Sequence, residues 1–179
     1  QATTLVQTHF GSWKKGAVPS RAVKKPTTID KKTVQLIEND LTQSTIVIGH
    51  SGISRTNPDF YAVTVMNHVL GAGGFSSRLM DSIRDKQGLA YGIMSHYDAR
   101  VMPGSFWINM QTRAETTNQA ISGVLIEMKA IREAPVSDQE LADAKAFLMG
   151  SFPLRLDSTS KLAQVLAQVP NRIQIEGHT

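Results

Sequence analysis

Gly71–Tyr91 reads GAGGFSSRLMDSIRDKQGLAY. The glycines Gly71, Gly73 and Gly74 make a hinge, because residues without a Cβ turn the backbone at little steric cost. Ser76 or Ser77 is placed to cap the helix that follows, and Leu79 and Ile83 give that helix a buried stripe. Gly88 is a left-handed stop after the cationic Lys86, where positive charge suits the end of a helix. A strand is predicted over Leu89–Tyr97. Arg84 on the helix and Tyr91 at the strand thus reach one turn region, two donors suited to a carbonyl or a carboxylate.

Upstream, Asn57 with Pro58 and Asp59 opens a helix carrying Phe60, Val63 and Leu70 and ending at Gly71. Before it, alternation over Thr33–Asp40 and the β-branched run inside Thr45–Ser51 predict two strands. Downstream, Met102-Pro103-Gly104 turns the chain into a second strand with Phe106, Ile108 and Met110 on one face, an antiparallel hairpin. Three helices follow. The first starts at Thr116 or Thr117, the second at the capping box Ser137-Asp138-Gln139-Glu140, and the last spans about Ser158 to Val169. Strands and helices that segregate in this way predict an α+β fold: a mostly antiparallel sheet with helices on one face.

The composition narrows the chemistry. At 179 residues without cysteine, the chain is long enough to hold one core unstapled, and thiolate catalysis and Cys-based zinc sites are excluded. The net charge of +4 is uneven. Lys14–Lys32 holds seven basic residues against Asp30, a surplus of six, so the remainder carries −2. With Gly16, Pro19 and Pro26 and no apolar period, the stretch reads as a solvated linker rather than a nucleic-acid groove, which would interleave aromatics. No apolar run is long enough to span a membrane, and Gln1–Phe10 lacks the layout of a signal peptide. A soluble chain is expected, with bacterial periplasm and cytoplasm both open as its compartment.

Other chemistries find no support. His9, His50, His68, His96 and His178 are scattered, without HExxH or HxxEH, so no metal is assigned to this chain. The GAGG segment follows a helix and lacks the spacing of a dinucleotide or phosphate loop. Ser76 and Ser77 have no partner base. Residue type alone favours structural roles for Arg84, paired to Asp81 or Asp85, and for Tyr91, a half-buried strand aromatic. The Gly88 turn argues the other way, since it folds the strand start back toward the helix end.

Phe75–Tyr91, together with NPDFYAVTVMNHVLGAGG (57–74) and EAPVSDQELADAKAFLMGSFPLRLDSTSKLA (133–163), resembles the C-terminal half of the pitrilysin and insulinase family of zinc metallopeptidases, the inverzincins. The similarity runs from about Phe10 to Leu166. It implies repeated α/β units, with residues 1–13 the tail of a preceding unit, 14–32 an interdomain linker and 33–179 the C-terminal domain, stopping early. By that match Arg84 and Tyr91 are the substrate-binding pair, no residue of this chain is catalytic by itself, and zinc is expected in an HxxEH-bearing N-terminal half or partner subunit. A peptide is the implied substrate, and a homo- or heterodimer is compatible with the family's divided site. Longer glycine loops admit substrate in the mitochondrial processing peptidases, whereas GAGG is short. A non-catalytic homologue, like the core subunits of the respiratory bc₁ complex, is the alternative, and polyanion binding through the basic stretch is a weaker third.

Overall fold

A computed structural model describes residues 2–14, 16 and 31–168. Most of the predicted linker, Val169 at the predicted end of the last helix, and His178 lie outside the described residues. The chain separates into two compact units, Gln1–Gln35 and Leu36–Thr179. In the first, helix α1 (Ala2–Phe10) is followed by a glycine turn, and the Phe10 and Trp13 rings meet edge to face at 5.0 Å.

The second unit is an antiparallel sheet with helices. Strands β1 (Gln43–Ser51), β2 (Ile93–Asp98) and β3 (Ser105–Arg113) lie in the order β1-β3-β2, with β3 central. Register follows the alternation of the sequence. Ile46 faces Met110, Ile48 faces Ile108, and Ile93 faces Met110 from the other side. Ile46, Ile93, Phe106, Ile108 and Met110 enter one buried cluster with Leu70, Leu79, Ile83, Leu89, Ala120 and Val124, and the partly buried Ile48 packs against it. Burying each large side chain contributes about 1.5–3 kcal/mol. On the opposite face Val47 and Met94 are exposed, and His96 stacks on Trp107 with ring centroids 4.0 Å apart.

The helices are α2 (Phe60–Asn67), α3 (Thr117–Glu133), α4 (Asp138–Gly150) and α5 (Thr159–Gln168). At α4 both halves of the capping box form: Glu140 N–H donates to Ser137 Oγ at 3.2 Å, and Ser137 N–H donates to Glu140 Oε2 at 2.8 Å. Helix α2 starts later than Asn57, because the Asn57 side chain accepts from Asp59 N–H and holds a turn there first. Nor does α2 simply stop at Gly71. It widens into a π-helical turn, His68–Ala72, packed so tightly on β2 that a Cβ on Gly71 would stand 2.6 Å from Ser95 Oγ.

Two predicted strands are corrected. Thr33–Asp40 is not a strand: its residues have no regular structure, and Val34, Leu36 and Ile37 are exposed. Alternation marks a strand face, but only a neighbouring strand can satisfy the backbone, and among the described residues none pairs with this segment. The strand after Gly88 begins at Ile93 rather than Leu89. Leu89 and Ala90 are buried one after the other, which a pleated strand cannot do on one face, so Tyr91 lies in a bend ahead of β2.

Candidate functional site

Leu79 and Ile83 are fully buried and anchor the π-helix Met80–Lys86 on the core. Wide π turns are rare and recur at functional positions. Arg84, next to Ile83, comes to the surface there. Gly88, at φ +61°, ends the helix as predicted: its N–H donates to the Arg84 carbonyl and Leu89 N–H donates to the Ile83 carbonyl, both at 2.9 Å. The buried Thr112 hydroxyl of β3 then donates to the Leu89 carbonyl at 2.7 Å. Those bonds fix the path from Arg84 to Tyr91, whose side chain is 90% exposed.

The structure brings Arg84 and Tyr91 together through the ring face, with the guanidinium carbon 5.5 Å from the ring centroid. Phe75, which residue type and spacing do not single out, stands closer at 4.8 Å. An aromatic directly after a glycine pair was the available signal. The nearest carboxylate, Asp85, is 3.9 Å away, too far for a hydrogen bond, while Asp81 is taken by Lys86 at 2.6 Å. Other arginines differ: Arg78 grips Glu140 through two hydrogen bonds of 2.6 and 2.8 Å, and Arg100 holds Asp98 at 2.6 Å.

Of the hinge glycines only Gly74 takes a positive φ, +61°. Gly73 approaches the His68 carbonyl, where a Cβ would stand at 2.8 Å. The hydroxyls of Ser76 and Ser77 donate back to the carbonyls of Gly73 and Gly74 at 3.0 and 2.7 Å. Ser77 does occupy the extended residue before the helix, but its side chain closes the glycine turn instead of capping forward. Phe75 is carried on this turn, beside a groove of about 440 Å³ that Gly92, Met94 and His96 also line. A separate apolar cavity of about 260 Å³, between His50, Leu70, Tyr97 and Arg132, includes neither Arg84 nor Tyr91.

The described residues do not fit a zinc site. His68, Glu140 and Asp143 share one cavity, but both Glu140 oxygens are held by Arg78. That hydrogen bond pulls the Glu140 carboxyl down to about 2 against the effect of burial, and Ser137 assists. His68 is stacked on Phe147 at 4.8 Å, and burial lowers its pKa. No group of three or more potential metal ligands forms among the described residues. No described helix is long and apolar enough to cross a membrane.

Fold and site together define an α+β domain of antiparallel sheet and helices, without a metal cluster among its described residues. The chain belongs to the peptidase M16 family, as its inactive domain, whose model matches residues 1–148. An uncharacterized zinc protease of Streptomyces coelicolor is 32% identical over 129 residues, 72% of this chain and 28% of that protein. A non-peptidase homolog of Helicobacter pylori is 35% identical over 134 residues, 74% of this chain and 31% of that protein. The chain therefore spans less than a third of either relative. Among solved structures, a peptidase M16 inactive domain from Pseudomonas fluorescens matches with 38% identity and a TM-score of 0.60, covering 62% of this chain and 27% of that one. A protease from Helicobacter pylori reaches a TM-score of 0.75 over 95% of this chain and 42% of that one, and at 22% identity supports the fold alone.

Proposed function

We propose that this chain is the substrate-binding part of a zinc-dependent endopeptidase, and that the metal is held by an HxxEH-bearing half or partner chain. In that arrangement residues 1–13 are the tail of a preceding unit, 14–32 a linker and 33–179 the domain. One observation carries it. Arg84 is flanked by two aromatic rings and hydrogen-bonds no carboxylate among the described residues, so its donor edge is left for a guest. A peptide carbonyl is such a guest. Arg84, with the Tyr91 hydroxyl, would orient the peptide and stabilise negative charge developing on its oxygen.

The test uses the full-length protein assembled with its zinc-bearing half and an unstructured peptide. Arg84→Ala or Tyr91→Phe should lower kcat by about 10²- to 10³-fold. Activity near wild type in both variants sinks the proposal. The second reading, a non-catalytic homologue, is favoured by the relative named as a non-peptidase homolog. It predicts a folded assembly with no zinc-dependent cleavage even before mutation.

A further inference from the structure

We propose that Phe75 is a positioning residue of this site, its ring holding the Arg84 guanidinium against Tyr91 so that the glycine turn sets the direction of the donor fork. The inference rests on the peptide-holding role proposed for Arg84.

Arginine side chains lose much rotamer freedom when held in one geometry, so a guanidinium that must meet a carbonyl needs something to hold it. Arg78 is held by a carboxylate. For Arg84 a carboxylate would be self-defeating, because it would occupy the donors that the guest requires. Aromatic faces have no such cost. They attract the cation through the ring quadrupole and leave the N–H edge free. Phe75 and Tyr91 stand at 4.8 and 5.5 Å from the guanidinium carbon, both inside the range of that attraction.

The placement of Phe75 is itself specified. The ring is 73% exposed, so the apolar core does not retain it there. It sits instead on a short turn set by Gly74 at φ +61° and tied by two serine hydroxyls to the carbonyls of Gly73 and Gly74. The turn in turn joins the π-helical segment that Gly71 packs against Ser95 of β2. Residues that separate Phe75 from Arg84 in sequence therefore bring the two side chains into contact through a backbone anchored at both ends. Tyr91 alone gives the guanidinium a wall on one side, and Phe75 supplies another.

The experiment uses the full-length protein with its zinc-bearing half, comparing Phe75→Leu, Phe75→Trp and Phe75→Ala. Because the ring is exposed, all three should keep the wild-type unfolding temperature. Phe75→Leu, which keeps apolar bulk but removes the ring, and Phe75→Ala should lower kcat/KM roughly tenfold, chiefly through kcat. Phe75→Trp should restore it. In an Arg84→Ala background Phe75→Leu should add nothing, since residues that act through one group are non-additive. If Arg84→Ala is damaging while Phe75→Leu matches wild type, or if the Phe75→Leu loss persists in full without Arg84, the positioning role is overturned and the peptide-holding role stands. If Arg84→Ala is itself silent, both fail.

Discussion

The amide of Gly88 donates to the carbonyl of Arg84 across 2.9 Å, and Gly88 adopts φ +61° to do so. A Cβ at Gly88 would meet nothing within 4 Å, so Gly88→Ala tests backbone conformation without a clash. It should cost about 1–2 kcal/mol in urea unfolding, and Gly88→Asn less, since asparagine tolerates the left-handed region. An alanine variant as stable as the parent would show that the stop is not left-handed.

Gly71 presents the opposite case. Its φ is not positive, but an added Cβ would come within 2.7 Å of the Ser95 backbone nitrogen and 2.8 Å of Leu79 Cδ1. Backbone cannot swing aside. Gly71→Ala should therefore lower stability by about 1–3 kcal/mol through overpacking, read as a fall in the thermal midpoint.

Thr112 links the central strand to the site through its 2.7 Å bond to the Leu89 carbonyl. Thr112→Val keeps the shape and leaves that carbonyl without its donor, a loss of about 1–3 kcal/mol by denaturant titration. Thr112→Ser should recover most of it. Amide exchange at residues 89 to 92 should quicken in the valine variant, and unchanged exchange would detach Thr112 from the path to Tyr91.

Acid should weaken the domain through Glu140. Its carboxyl is held down to about 2 from the usual 4.5, first by the Arg78 hydrogen bond. A folded pKa below the unfolded one means that the stabilisation is fully present above about pH 4.5 and is lost as pH falls toward 2. Both side chains are partly exposed, so after solvent screening the contribution is about 1 kcal/mol. Stability measured between pH 6 and pH 3 should fall less steeply in Glu140→Gln, and an unchanged slope would remove the pair from the acid response.

Much of the fold was legible in the sequence because it is encoded locally. The alternation of Phe106, Ile108 and Met110 marks the inward face of β3, and Ser137 with Glu140 closes a capping box within one turn of helix. Gly88 was legible as a stop for the same reason, since a left-handed residue is a property of its own backbone. Thr33–Asp40 misled because strand pattern is local while strand pairing is not. Leu89 and Ala90 misled because both are buried in succession, which only the packing of the turn against β3 and the helices imposes.

The site divides along the same line. Sequence alone singled out Arg84 and Tyr91, as the ends of a helix and of the segment beyond its glycine stop, and from their resemblance to a family pair. Only the tertiary structure decided that the guanidinium lies over the faces of both Tyr91 and Phe75, because those contacts join a glycine turn, a π-helix and a bend whose relative placement is set by the core beneath them. Hydrogen bonds within a turn are written in neighbouring residues, whereas the distance between two side chains on separate elements depends on the packing of everything between them.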